Sequence, residues 1–249
     1  MLYGVFSDVH ANLEALEVVL DFFRASRTEG HICCGDVVGY GPDPEECLAK
    51  VRRLKNISIV CGNHDLAAVG RLDVEWFNPY ARAATLWTRA ALGGESRRFL
   101  EGLTARLETR EFTVVHGTPR RPADEYLLSV AQFKVNMSKV SVWPLFMGHS
   151  HMPLCFHCSA EGRIEPIFID DRQCVTGEVA AFGTVPVAFN PGAVGQPRDH
   201  DKRASCALWD SEARSFRVFR LAYDVAVTQA KIRSHGLPEY LALRLAYGQ

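Results

Sequence analysis

His149 and His151 stand two residues apart in Phe146-Met-Gly-His-Ser-His-Met-Pro, just after the apolar run Leu145, Phe146, Met147. Imidazole is the commonest protein metal ligand. A single His-x-His pair is more often surface chemistry than a site. Here four earlier clusters close apolar runs in the same way. Asp8-Val-His10 follows Leu2 to Ser7, and Gly35-Asp36 follows His31 to Cys34. Gly62-Asn63-His64-Asp65 follows Ile57 to Cys61, and His116 follows Phe112 to Val115. Each has a bland reading alone: a helix cap, a turn acid, a turn amide, a core-edge histidine. Five together point to a metal centre. The donors are imidazole, carboxylate and one amide, without thiolate, which suits Mn, Fe, Zn, Co or Ni better than the all-oxygen preference of Ca. They are too many for one tetrahedral ion. They suit two ions about 3.5–4 Å apart that share a bridging carboxylate.

The elements that must position these residues alternate. Three times an apolar strand runs into a polar loop and then a helix. Asn12 caps a helix whose apolar positions Leu13, Leu16, Val19, Leu20 and Phe23 recur at helical spacing. Asp43-Pro44-Glu45-Glu46 reads as N-cap, first-turn Pro and capping box for a helix reaching about Leu54. Residues 78–103 read as helix with a break at Gly93-Gly94, and 129–140 as another helix, before a strand from Trp143 to Met147. Such alternation predicts a layered α/β fold with a largely parallel core, in which ligands gather beyond the carboxyl ends of the strands. After residue 152 the helices give way to short β-type runs: Leu154–His157, Ile164–Ile169, Val185–Phe189, Ala204–Trp209 and Phe216–Leu221. These read as a second sheet packed on the first. The tail from Tyr223 to Tyr247 reads as helix split near Gly236-Leu-Pro238. With no internal repeat or linker, residues 1–249 are expected to form a single domain.

Composition excludes several classes. The 249 residues are 47% hydrophobic, with Lys+Arg 28 against Asp+Glu 29 and a formal charge of -1. No basic excess or basic run supports extended nucleic-acid contacts, which disfavours a nuclease, or an anionic membrane surface. No stretch has the length of a membrane span, and no export leader is expected, so the expected location is cytoplasmic. The eight cysteines (33, 34, 47, 61, 155, 158, 174, 206) are then expected to be reduced and mostly buried. Cys155-Phe-His-Cys158 has the spacing of half a zinc site but no second pair; a β-hairpin is the better reading. Oligomeric state is not legible.

In their order, Asp8-x-His10, Gly35-Asp36, Gly62-Asn63-His64-Asp65, His116 and Gly148-His149-Ser-His151 resemble the five motif blocks of the calcineurin-like metallophosphoesterases. The resemblance implies an α/β four-layer αββα sandwich, two mixed β-sheets flanked by helices, with two divalent ions between them. It implies Asp8, His10 and His151 on one ion, Asn63, His116 and His149 on the other, and Asp36 bridging. His64 matches the catalytic histidine. The implied chemistry is attack on phosphorus by a hydroxide shared between the ions, with His64 protonating the leaving oxygen. The substrate would be a small phosphodiester or phosphomonoester, a nucleotide among the candidates. Gly39-Tyr-Gly-Pro-Asp-Pro44 and Asn190-Pro-Gly-Ala-Val-Gly-Gln-Pro-Arg198 resemble small bacterial and archaeal phosphodiesterases and diadenosine-tetraphosphatase-like proteins. Ser/Thr protein phosphatases carry Asp-Arg-Gly shortly after the bridging Asp, where this chain reads Val37-Val38-Gly39-Tyr40-Gly41. Arg198 is the leading candidate for a phosphate contact, against an alternative in which it pairs with Asp199 or Asp201. Tyr40, Arg120 and Arg121 are further candidates, and Gly192 and Gly195 would let their loop approach the site. A scaffold that kept the fold and lost catalysis is the reading from another class; it predicts missing ligands, and none is missing.

Overall fold

The chain begins with strand β1 (Leu2–Phe6), whose alternating side chains feed two different cores. Tyr3 and Val5 pack on one side of the sheet and Phe6 on the other, as the two-residue period of a strand requires. The computed structural model describes residues 1–159, 161–168 and 185–249. From β1 the chain continues through α1 (Leu13–Ala25), β2 (Gly30–Cys33), α2 (Pro44–Arg52), β3 (Ile57–Ile59) and α3 (Asn63–Ala68). A single 3-10 turn (Val74–Trp76) precedes α4 (Pro79–Ala91), α5 (Gly94–Glu101), β4 (Arg106–Glu108), β5 (Thr113–Val115), α6 (Val130–Met137) and β6 (Leu145–Phe146). Then come β7 (Pro153–Cys158), β8 (Ile164–Phe168), β9 (Val187–Pro191), β10 (Ala204–Asp210), β11 (Ser215–Leu221), α7 (Val225–Ser234) and α8 (Glu239–Leu245).

Two mixed sheets result. One has five strands in the order β11-β10-β1-β2-β3 and the other six in the order β4-β5-β6-β9-β7-β8. Strands β1, β2 and β3 are parallel, as are β5, β6 and β9. The three principal cores lie between four layers. Leu16, Val19, Phe23, Leu48 and Leu100 from α1, α2 and α5 cover one face of the first sheet. Tyr3, Val5, Ile32, Phe146, Phe189, Trp209 and Phe216 fill the space between the sheets. Phe133 of α6 packs with Leu145, Leu154 and Phe156 on the outer face of the second sheet. The expected αββα sandwich is therefore the observed one. The inter-sheet core is aromatic, with Phe189 and Phe216 stacked at 4.2 Å, the offset geometry that such rings favour.

Three expectations are corrected in detail. The β-runs past residue 152 do not form a sheet of their own. β10 and β11 join the first sheet, with β10 antiparallel to β1, while β5 and β6 belong to the second. Alternation specifies which faces are buried, whereas sheet membership is set by which backbone edge is free to pair. At α2, Asp43 makes no cap hydrogen bond; its carboxylate accepts from Lys231 Nζ at 2.9 Å, and no capping box forms. Glu45 instead accepts from Gly93 N and Ser96 Oγ at the start of α5, both at 2.6 Å. The helix ends at Arg52 rather than near Leu54.

The break at Gly93-Gly94 is observed. Cys155 and Cys158 lie three apart on β7, hence on opposite faces, and both are free. That geometry excludes one zinc ion held by both, and the hairpin reading stands through the pairing of β7 with β8. Ile169 and Cys174 lie outside the described residues. Among the described residues no helix is long and apolar enough to cross a membrane.

Candidate metal centre

Every candidate ligand leaves the carboxyl end of a strand. The loops after β1, β2, β5 and β6 carry Asp8 and His10, Asp36, His116, and His149 and His151, and Asn63 opens α3 just beyond β3. Five of these residues adopt left-handed backbone: Asp8 (φ 53), His10 (φ 48), Asp36 (φ 53), His149 (φ 67) and His151 (φ 59). Non-glycine residues avoid that region at roughly 1–2 kcal/mol each, and such conformations concentrate at functional sites. The turns aim five side chains inward that an ordinary strand end would direct elsewhere.

Backbone contacts hold the loops together. Asp8 N donates to Gly35 O and His10 N to Asp36 O, both at 3.0 Å. Asp65 receives the N–H groups of Asp36, Gly62 and Val38 at 2.8, 3.0 and 3.1 Å. The loop after β9 is stitched in by Asn190, whose Nδ2 donates to Gly148 O at 2.6 Å and Ser150 Oγ at 3.0 Å. Two glycines make the close approach feasible. A Cβ at Gly62 would overlap Asp36 Oδ1, and one at Gly148 would overlap Ser7 Oγ.

The ligand atoms form two groups, Asp8 with His10 and His151, and Asp36 with His116 and His149. In the first, His10 Nε2 lies 3.1 Å from His151 Nε2, which is 3.2 Å from Asp8 Oδ1. In the second, His116 Nε2 is 3.1 Å from Asp36 Oδ2 and 3.2 Å from both His149 Nδ1 and Asn63 Oδ1. Asp36 Oδ2 also lies 3.9 Å from His10 Nε2, placing this carboxylate between the groups.

The outer nitrogens decide the protonation. Nδ1 of His10, His116 and His151 faces the carbonyls of Val38, Cys34 and Gln196 at 3.2, 2.8 and 2.6 Å. A carbonyl can only accept, so each Nδ1 carries hydrogen and a neutral ring turns its Nε2 lone pair inward. Asp8 Oδ1 and Asp36 Oδ2 are buried without any hydrogen-bond partner. Carboxylate oxygens and imidazole lone pairs therefore converge in one buried cluster, where a proton held by His116 is the donor at hand. That arrangement is costly when buried and is the one a pair of cations relieves, so the residues fit a dinuclear centre.

The electrostatics agree. Burial alone would raise the Asp8 and Asp36 carboxyls, but His151 beside Asp8 and His116 beside Asp36 hold both well below the usual range. Burial pushes His10 well down and His149 to about 3, and lowers His151 with help from Arg198. His116 is the exception: burial opposes its charge, but Asp36 and Asp8 raise it to about 9. A bound metal would take the place of that proton.

A cleft of about 600 Å³ opens onto the second group, lined by Tyr40, Asn63, His64, Phe77, Tyr126, His149 and Arg198 among others. His64 is the second residue of α3, its ring 4.4 Å from Tyr40 and 4.7 Å from Phe77. Burial holds it down at about 4, so it is neutral without a ligand. Arg198 does not pair with Asp199 or Asp201; those carboxylates meet Arg220 and Arg203. Arg198 Nη2 donates instead to Gln196 Oε1 at 3.1 Å and to the Tyr40 hydroxyl at 3.4 Å. Arg120 is tied to Glu125 and Arg121 to Asp124, and of the two only Arg121 lines the cleft.

Sequence reasoning passed over Asp65, Asn190 as a tether, and Tyr126, which stacks on His149 at 4.1 Å. Asp65 stood inside a recognised block and could have been noticed. Tyr126 lies in a long loop with no local signal.

The Calcineurin-like phosphoesterase superfamily domain profile matches residues 1–214. An uncharacterized protein of Methanocaldococcus jannaschii, MJ0912, is 33% identical over all of this chain and 98% of its own. A crystal structure of a metallophosphoesterase from Sphaerobacter thermophilus is 42% identical, with TM-score 0.88 over 100% of this chain and 99% of that one. Hypothetical protein PH1004 from Pyrococcus horikoshii shares the fold at 20% identity, TM-score 0.80, over 100% and 98% of the two chains.

Proposed function

The chain belongs to the calcineurin-like phosphoesterase superfamily, and from that premise we propose that it is a dinuclear-metal-dependent phosphoesterase acting on a small phosphodiester or phosphomonoester. The observation that carries this reading is the convergence of Asp8 Oδ1, Asp36 Oδ2 and inward imidazole nitrogens in one buried cluster. Asp8, His10 and His151 would hold one ion and Asn63, His116 and His149 the other, with Asp36 shared between them. When bound, two divalent ions supply Lewis-acid screening of the phosphoryl oxygens and water of lowered pKa.

The remaining work falls to the chain. The carbonyls of Val38, Cys34 and Gln196 keep three imidazoles in the ligating tautomer and orientation. Arg198, at the cleft wall, binds a phosphoryl oxygen. His64 is neutral before substrate arrives. A phosphoryl anion against its ring raises its proton affinity and readies it to protonate the leaving oxygen. Tyr40 and Phe77 fix the ring for that transfer.

The test is hydrolysis of bis(p-nitrophenyl) phosphate and p-nitrophenyl phosphate by protein stripped of metal and reloaded with Mn, Zn, Fe(II), Co or Ni, with bound metal counted. Turnover that returns with metal supports the proposal, and the preferred ester sets its class. Two ions bound with no turnover of either ester or of a nucleotide panel would favour the scaffold reading instead.

A further inference from the structure

The cleft at the second ligand group has two kinds of wall. Asn63, His149 and Arg198 belong to the metal centre, whereas Trp76, Phe77 and Tyr126 present aromatic rings. The two are continuous. The Phe77 ring lies 4.7 Å from His64, and Tyr126 stacks on His149 at 4.1 Å with the planes 13° apart. The cleft's volume of about 600 Å³ is that of a whole small-molecule site. A phosphoryl group seated on two ions fills a small part of it, so the organic side of the ester has to meet the rings.

Trp76 is the unusual member of this wall. Tryptophan is highly buried on average, yet Trp76 is 88% exposed, while Trp209 is buried and Trp87 and Trp143 are half-buried. Among the described residues its ring stacks on no other aromatic side chain and its indole N–H has no hydrogen-bond partner. The turn that carries it is nonetheless fixed. Asp73 Oδ1 accepts from Glu75 N at 2.9 Å, and Phe77 N donates to Val74 O at 3.0 Å. Glu75 pairs with Arg82 of α4 at 2.6 Å, and Val74 is buried. A held turn thus presents one indole at the cleft wall. Tyr126, stacked on His149, remains 40% exposed. Such flat, electron-rich faces match a planar ring better than a puckered one. Arg121 and Asp124 on the same wall pair with each other, and Asp73 adds a negative charge. A second anion is therefore disfavoured there, and a neutral ring is not.

We propose that Trp76 is a specificity-determining residue: with Phe77 and Tyr126 it forms an aromatic platform that takes a planar ring on the organic side of the phosphate ester. The substrate class is then esters bearing an aromatic or heteroaromatic ring, in preference to aliphatic ones. The inference rests on the phosphoesterase reading and deepens it, since the phosphoryl end belongs to the metal centre and the ring end to the platform.

A matched pair of non-hydrolysable ligands tests it on the metal-loaded protein by titration calorimetry: 2-phenylethylphosphonate and 2-cyclohexylethylphosphonate. The phosphonate and the reach are the same, and only the ring differs, flat in one and puckered in the other. The cyclohexyl ring has the larger apolar area, so burial alone would favour it. The platform predicts the reverse order, with the phenyl ligand bound about fivefold more tightly, the low end of what stacking on an aromatic side chain is worth. In Trp76→Leu the ratio should fall to one or below, and Trp76→Phe should keep part of it. A wild-type ratio at or below one, with both ligands bound, overturns the platform while leaving the esterase reading intact, and needs no variant to fold. A ratio equally high in Trp76→Leu also overturns the role of Trp76. Failure of both phosphonates and of inorganic phosphate to bind the metal-loaded protein overturns both proposals together.

Discussion

Asp65 accepts the backbone N–H of Asp36 at 2.8 Å, and the two carboxylates divide the labour of the metal loops. Asp36 turns Oδ2 to the centre while its Oδ1 accepts the N–H of His64 at 2.8 Å. Asp65 faces away from the ligands and ties the loop after β2 to the start of α3. Asp65→Asn loses at least one of these bonds, because an amide nitrogen cannot accept. A buried donor left unpaired costs about 1–3 kcal/mol. The variant should melt earlier and bind less than the wild-type complement of metal, measured by calorimetry and elemental analysis. Full metal content at an unchanged melting temperature would show that Asp65 does not position the site.

His64 lies beside the ligand set rather than within it. His64→Ala should lower kcat by about 10²–10⁴-fold, the usual worth of general-acid help, with metal content close to wild type. Equal loss of metal and rate would make His64 a structural residue instead.

The glycines divide by what surrounds them. At Gly62 a methyl group meets Asp36, whereas at Gly94 nothing lies within 4 Å. Gly62→Ala should destabilise by about 1–3 kcal/mol through overpacking and disturb metal binding. Gly94→Ala, in α5, should stabilise by about 0.4–1 kcal/mol. Urea titration reads both, and the same sign at both positions would refute the argument from space.

Tyr3 predicts an alkaline limit. Its pKa rises from 10 to about 12 through burial, then through its hydrogen bond to Glu111 Oε2 at 2.9 Å. The folded state thus favours the neutral phenol. That stabilisation is whole below pH 10 and is lost as pH climbs toward 12. Tyr3→Phe should be less steeply destabilised across that window when unfolding is followed by far-UV circular dichroism. Parallel wild-type and variant curves would show that Tyr3 does not titrate on unfolding.

Much of the centre was legible because its residues are local in sequence. Asp8 with His10, Asn63 with His64, and His149 with His151 are pairs within single loops, each after an apolar run, and the α/β reading brings such loops to one edge. Asp43 shows where local reasoning stops. Its neighbourhood is that of a helix cap, yet Lys231 of α7 takes its carboxylate at 2.9 Å. Trp76 belongs to the same kind: nothing near it in sequence places it on the cleft.

The amino-acid sequence by itself laid out most of the strands and helices and, through its resemblance to a family, the αββα layering and the seven expected donors. Burial periodicity and residue chemistry are properties of short segments, and the order of the motif blocks is read directly from the chain. The tertiary structure alone decided that β10 and β11 join the first sheet, that Asp36 lies between the two ligand groups, and that Trp76 and Tyr126 line one cleft. Those are pairings between distant segments. Backbone edges, left-handed turns and unpaired charges select among many partners, and only the packed chain brings one of them within reach.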